Sequence, residues 1–132
     1  MPTEKVLIVD DQEDVRMLLS RVVDRIELVP LTASSAMEAN KLIEEEGPSV
    51  VLLDLEMPGY GGAYVLNFLR QYETARAIQS PTSVIVISGY ISQDVKEKLS
   101  PLGVSAYIPK PFNIHHIGKA IQKCISPPAQ MA

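Results

Sequence analysis

Five side chains in this sequence could do chemistry together: Asp10, Asp11, Asp54, Ser88 and Lys110. Each follows or ends a short apolar run, and each run reads as a buried strand. Clustered carboxylates suit a hard cation, and Mg²⁺ prefers a few carboxylates completed by water and phosphate. An aspartate such as Asp54 can act as a covalent nucleophile and form an acyl phosphate. A cation and the Lys110 ammonium would neutralise the equatorial oxygens of a phosphoryl group, and the Ser88 hydroxyl could hydrogen-bond one of them. These are the parts of a phosphoryl-transfer site. Taken one at a time they are ordinary: an acid at a strand end often caps a helix, and a lone lysine in a loop is usually a solvated charge. Five compatible groups at four strand ends are harder to explain that way.

The elements that must position them are legible as alternating patterns. Lys5 to Asp10 is a continuous apolar run ending in acid, which suits a strand covered on both faces. Val15, Leu18, Leu19, Val22, Val23 and Ile26 then repeat at helical spacing, with Asp11 or Gln12 near the helix start. Leu28 to Ala33 reads as a second strand, and Pro30, which cannot donate to a ladder, places it at a sheet edge. Ser34 or Ser35 caps a helix carrying Ala36, Ala39, Leu42 and Ile43, stopped by Gly47-Pro48. Ser49 to Asp54 is the third strand, followed by a loop, Leu55 to Gly61, and a helix with Val65, Phe68, Leu69 and Tyr72 on one face. Ser83 to Ser88 is the fourth strand. Ile91, Val95, Leu99 and Leu102 mark a short helix that Pro101 and Gly103 should end. Val104 to Ile108 is the fifth strand, and a last helix carries Ile114, Ile117, Ile121 and Ile125 before Ser126-Pro127-Pro128.

Strict β-α alternation predicts an α/β fold: a five-stranded parallel sheet with helices on both faces and right-handed crossovers. The flavodoxin-like order 2-1-3-4-5 puts the second strand at an edge, in agreement with Pro30, and puts ligands at the carboxyl ends of the strands. All five chemical groups fall at that end.

The bulk properties agree. The chain has 132 residues, 46% hydrophobic and 21% charged, with net charge −4 and a pI of about 5.1; this suits one soluble domain. The twelve Lys and Arg residues form no run, so a nucleic-acid footprint is not expected. No apolar stretch approaches the roughly 20 residues of a membrane span, and the N-terminus lacks a signal-peptide layout, so the expected location is cytoplasmic. Residues 1–126 are expected to form the domain, and 127–132 a disordered tail or the beginning of a linker. Met1 suggests a true start. Cys124 is the only cysteine and is expected to be an inert, semi-buried thiol.

Four motifs occur in order: Val9-Asp10-Asp11, Leu53-Asp54-Leu55-Glu56-Met57-Pro58-Gly59, Ile87-Ser88-Gly89 and Lys110-Pro111-Phe112. Together they resemble the signatures of response-regulator receiver domains, over about residues 4–125. The resemblance implies that Asp54 is the phosphoacceptor. It implies a Mg²⁺ site (Mn²⁺ an acceptable substitute) made of Asp10, Asp11, Asp54 and the Glu56 carbonyl. It also implies that Lys110 pairs with the phosphoryl group across a usually cis bond to Pro111, and that Ser88 and Tyr107 form the switch pair. Phosphorylation would draw Ser88 toward the phosphoryl group, turn Tyr107 inward and alter the face made by the fourth helix, fifth strand and fifth helix.

The implied partners are a sensor histidine kinase or phosphotransfer protein and a downstream protein on that face. No nucleic-acid or membrane contact is implied for this domain, which would be a monomer or a phosphorylation-dependent dimer. It would catalyse only its own phosphorylation and dephosphorylation.

Some positions depart from the family pattern. Gly61 stands where many relatives have a capping Asp, so the third helix is expected to fray at its start. Pro109 before Lys110 is expected to stiffen that loop, and Pro101 to shift the output face. Tyr60, Tyr64 and Tyr90 lie on or near the loops at the site; Tyr90 and Glu56 would there control access of water, or simply be exposed. His115 and His116 are adjacent, so they point about 100° apart on a helix and are expected to be solvated or partly packed. Two rival readings are weaker. A haloacid-dehalogenase-type phosphatase would use an Asp two residues after the nucleophile, where this chain has Glu56, and would leave Asp10 and Asp11 unexplained. A receiver-like domain that is never phosphorylated would have no need of the full acid set.

Overall fold

A computed structural model describes residues 4–59 and 61–125. The expected tail, the end of the last helix at Ser126-Pro127-Pro128, and Tyr60 lie outside the described residues. Five strands, β1 (Lys5–Val9), β2 (Val29–Ala33), β3 (Val50–Asp54), β4 (Ser83–Ser88) and β5 (Ala106–Pro109), alternate with α1 (Glu13–Arg25), α2 (Ala36–Glu46), α3 (Gly62–Ala75), α4 (Gln93–Leu99) and α5 (Ile114–Ile125). A single 3₁₀ turn, Ser100–Leu102, follows α4. The strands are parallel in the order β2-β1-β3-β4-β5.

Alternation within each strand divides the core in two. Leu7, Val9, Val51, Leu53, Val84 and Val86 face one way, with Ala39 and Ile43 of α2 and Val65 and Leu69 of α3. Val6, Ile8, Val50, Leu52, Ile85 and Ile87 face the other way, with Leu19 and Val23 of α1 and Ile117 and Ile121 of α5. The central strands are therefore apolar on both faces, which is why they read as unbroken runs rather than alternating ones. β2 is an edge strand. The Val29 N–H donates to the Glu4 carbonyl at 3.0 Å, so the Pro30 nitrogen faces the open edge, where a missing donor costs no ladder bond.

The helix ends follow local rules. The Ser35 hydroxyl accepts from the Glu38 N–H at 3.2 Å, while the Glu38 carboxylate receives the Ser34 N–H. Gly47 ends α2 in the left-handed region, φ 56°, where glycine carries no Cβ penalty. Ser92 caps α4 through the Val95 N–H. Gly61 occupies the N-cap of α3 without any side-chain cap bond, as a residue lacking a side chain must.

Three local expectations are corrected. Leu18 is 40% exposed and flanks the apolar stripe of α1 with Met17; Leu19, Val22 and Val23 carry the burial. α4 stops at Leu99, ahead of Pro101, which lacks the N–H to continue it and sits in the 3₁₀ turn closed by Gly103; the helix is therefore shorter than expected, with Ile91 and Leu102 outside it. β5 starts at Ala106, not Val104, because pairing begins opposite Ile85, after Gly103 at φ 80°.

A polar network at the opposite end of the sheet from the acids was not anticipated. Glu73, 7% exposed, accepts from Arg70 Nη1 at 2.7 Å and from the Thr82 N–H at 2.6 Å. Arg70 also donates to the carbonyls of Leu102, Thr82 and Gly103. One guanidinium thus joins α3 to the segments entering β4 and β5, and a charge buried this deeply survives because it is paired and fully hydrogen-bonded.

Candidate functional site

β1 and β3 are neighbours in the sheet, so the acids at their ends arrive side by side. Asp10 and Asp54 are 2% and 3% exposed, whereas Asp11 is exposed. Carboxylate oxygens of all three lie within 4.8 Å of one another. Two buried acids and one exposed acid aimed at a common point make a hard-oxygen set open to solvent on one side. That set fits a small divalent cation, which keeps several waters and takes few protein carboxylates.

Each acid is oriented by backbone. Asp10 Oδ1 accepts from the Gln12 N–H at 2.9 Å, and Asp54 Oδ1 accepts from the Glu56 N–H at 3.1 Å. Arg16, a residue the sequence did not single out, donates from Nη1 to the Asp10 carbonyl at 2.8 Å. Gln12 is the N-cap of α1 and has no side-chain cap bond; Asp11 is neither. Beneath the site, α3 begins against the β3 backbone: a Cβ on Gly62 would lie 2.6 Å from the Asp54 carbonyl oxygen and 3.0 Å from the Leu55 Cα. Only glycine permits that approach.

Lys110 closes the site from β5. Its Nζ lies 3.0 Å from Asp10 Oδ2 and 3.5 Å from Asp54 Oδ1, and its peptide bond to Pro111 is cis. The Lys110 N–H donates to the Ser88 carbonyl at 2.8 Å, which joins the ends of β4 and β5. Burial disfavours the Lys110 ammonium, but the hydrogen bond and charge of Asp10, with those of Asp54, outweigh it and hold its pKa above the ordinary value. Burial raises the pKa of Asp54 and the charge of Asp10 adds to it; the Glu56 N–H and Lys110 offset only part of this. Charging Asp54 thus costs free energy, which a cation would relieve.

Ser88 is 1% exposed. Its hydroxyl donates to the Tyr90 carbonyl and accepts from the Tyr90 N–H, both at 3.1 Å. Tyr90 as a residue is 70% exposed. Glu56 uses its side chain as well as its backbone: Oε1 accepts from the Gly89 N–H at 2.8 Å, tying the loop after β3 to the loop after β4. Tyr107 is half-buried on β5, with Lys96 Nζ 5.6 Å from its ring centroid and its hydroxyl 3.5 Å from Ser100 Oγ. His115 and His116 are exposed, and their backbone N–H groups both donate to Asn113 Oδ1. Cys124 is half-buried.

Asp10, Asp11, Asp54, Ser88 and Lys110 therefore meet at one end of the sheet, with Glu56 beside them and Tyr107 on the neighbouring strand. Missed in the sequence are Arg16, Gly62 and the tie from the Glu56 carboxylate to the Gly89 N–H, each of which rests on a backbone contact that no local motif records.

Comparison with known proteins gives one consistent result. The family model described as response regulator receiver domain matches residues 6–122. The chain is 32% identical over 123 residues to sporulation initiation phosphotransferase F of Bacillus subtilis, covering 93% of this chain and 94% of that one. Other relatives are longer, and the chain spans 41% or 25% of two of them. Among solved structures, the signal receiver domain of a LuxO repressor protein from Vibrio parahaemolyticus superposes with a TM-score of 0.84 at 24% identity, over 94% of this chain and 91% of that one, a likeness of fold. The receiver domain of the response regulator Ssk1 of Saccharomyces cerevisiae, solved with the histidine phosphotransfer protein Ypd1, superposes with a TM-score of 0.83 at 25% identity, over 92% and 88%.

Proposed function

Because the chain belongs to the response regulator receiver domain family and serves as a phosphorelay receiver, we propose that Asp54 is its phosphoacceptor. The observation that carries this is the convergence of the Asp10, Asp11 and Asp54 carboxylates with Lys110 bridging Asp10 and Asp54. Asp54 Oδ1 takes the Glu56 N–H and faces Lys110, so Oδ2 is the oxygen presented to a donor. Oδ2 attacks the phosphorus of a phosphohistidine on a sensor kinase or phosphotransfer protein; a P–O bond forms, the P–N bond breaks, and the imidazole leaves and takes up a proton.

Lys110 supplies positive charge to the equatorial oxygens. Asp10, Asp11, Asp54 and the Glu56 carbonyl would hold Mg²⁺, with Mn²⁺ able to replace it, and the bound cation would neutralise phosphoryl charge. Ser88 exchanges its Tyr90 bonds for one to a phosphoryl oxygen, and Tyr107 leaves its position under Lys96 for the space vacated. The α4–β5–α5 face then changes its preference for a downstream protein. The chain acts in the cytoplasm as a monomer or as a dimer formed on phosphorylation. It catalyses no reaction beyond its own phosphorylation and dephosphorylation. No helix among the described residues is long and apolar enough to cross a membrane.

Intact mass after incubation with acetyl phosphate tests this. One added phosphoryl group per chain that requires both Mg²⁺ and Asp54 supports the reading. Undiminished labelling of Asp54→Asn, or no adduct and no binding of beryllofluoride, overturns it.

A further inference from the structure

Charge is unevenly divided along this chain. Residues 92–132 hold five lysines (Lys96, Lys98, Lys110, Lys119 and Lys123) against two acids, Asp94 and Glu97, a net of +3; with a total of −4, residues 1–91 carry −7. α5 contains no acid at all. Its His116, Lys119 and Lys123 recur at helical spacing and line one side of a groove of about 570 Å³, whose floor includes Ser83, Ser105 and Ala106 at the start of β4 and β5. No acidic side chain lines it. Lys119 and Lys123 are exposed and make no ion pair among the described residues. The groove opens at the amino end of β5, an edge strand paired only with β4, and is walled by α5.

We infer that this groove binds an extended acidic segment of a partner protein, an assignment that rests on the receiver reading, with α5 as the wall it shares with the proposed output face. Complementary charge at such a surface steers encounter and fixes register. Lys119 and Lys123 are one helical turn apart, about 6 Å along the axis. Carboxylates on alternate residues of an extended chain are spaced about 7 Å apart, so an Asp or Glu at every second position meets successive lysines. The small Ser and Ala side chains of the floor leave room for a backbone to lie close.

A nucleic acid fits less well. Residues 92–132 contain no arginine for bidentate phosphate or base contacts, and no aromatic residue lines the groove. A long polyanion would also meet the −7 of the remaining chain.

The test is fluorescence anisotropy at low salt with the full chain and a labelled octapeptide of alternating Glu and Ser, with a Gln-Ser octapeptide and an oligo-dT as competing probes. The Glu-Ser peptide is expected to bind saturably and to weaken as salt rises. Lys119→Glu with Lys123→Glu should weaken it by at least about tenfold, since each reversal places like charges together. A pair with the same change in net charge on exposed sites elsewhere, Arg21→Glu with Lys41→Glu, should weaken it less than about threefold. Equal losses in the two pairs, absence of saturable binding, equal binding of the Gln-Ser peptide, or tighter binding of oligo-dT would each overturn the assignment. Acetyl phosphate labelling of the same preparations is read separately. Normal labelling with no groove binding removes only this proposal, whereas loss of labelling in the unaltered chain removes the receiver reading.

Discussion

Replacing Asp54 by Asn should stabilise the metal-free fold. The Asp10 and Asp54 carboxylates approach within 4.8 Å, a repulsion of about 3.5 kcal/mol at an effective dielectric of 20. Lys110, 3.5 Å from Asp54, returns about 4.7 kcal/mol by the same formula. These nearly cancel. What remains is the cost of holding a carboxylate at 3% exposure, several kcal/mol per ion, partly offset by its hydrogen bond. The raised pKa of Asp54 carries the same sign. Asn removes the charge and retains an oxygen for the Glu56 N–H, and Lys110 keeps its closer partner, Asp10. The expected gain is about 1–2 kcal/mol near neutral pH, or about 4 °C in Tm per kcal/mol for a chain of this size.

Urea unfolding in EDTA would measure it, followed by far-UV circular dichroism because the chain has no Trp. Asp54 binds its proton more tightly folded than unfolded, so its cost is fully present above the folded pKa and disappears below the ordinary value of 3.8. The advantage of Asn must therefore shrink as pH falls through the carboxylate range. Mg²⁺ at ten times its dissociation constant should add about 1.4 kcal/mol to the wild type, and less to the variant. A loss of 1 kcal/mol or more in metal-free Asp54→Asn would refute the reasoning: the Lys110 contact would then outweigh burial, and the acid cluster would be a structural ion-pair network.

Other perturbations have separate signs. Lys110→Met should destabilise the fold by about 3 kcal/mol by leaving the buried carboxylates uncompensated and should abolish labelling by acetyl phosphate. Because the folded pKa of Lys110 is raised, its contribution is fully present below the ordinary 10.5 and is lost as pH rises through the folded value, so wild type and variant should converge in alkaline urea titrations. Gly62→Ala should cost about 1–3 kcal/mol and slow labelling, since its Cβ would press on the Asp54 carbonyl; Gly118→Ala, with nothing nearer than 3.7 Å, should be neutral or stabilising by up to about 1 kcal/mol in thermal unfolding. Glu73→Ala should cost about 3–5 kcal/mol by stranding Arg70, with the labelling rate unchanged.

What could be read from the sequence was what repeats or stands at an end. Val6–Val9, Val50–Leu53 and Val84–Ile87 are apolar throughout because helices cover both faces, so the strands, their order and the acids at their ends were visible together. Periodicity could not separate Leu18 from Leu19, because both fall within a helical stripe and only the packing of α1 decides which one is covered. The contacts that stayed hidden join residues far apart in the chain. Arg70 meets Leu102 and Gly103 across 32 and 33 positions, and Glu56 meets Gly89 across 33. Gly62 resembled any loop glycine until the β3 backbone was in place behind it.

The Arg70 clamp bears on leverage. Its bonds to the carbonyls of Leu102 and Gly103 fasten the 3₁₀ turn that continues α4, while the other end of α4 begins at Ser92, just beyond the Tyr90 bonds to Ser88. α4 is thus a short rod pinned at its far end. Seven residues make it about 10 Å long, so a swing of about 10° about the pin carries the Ser92 end roughly 2 Å by that length. On the proposed switch, a hydroxyl-sized rearrangement at Ser88 would act on the free end of that rod, and the exposed side of α4 would turn with it while the 3₁₀ turn stayed still.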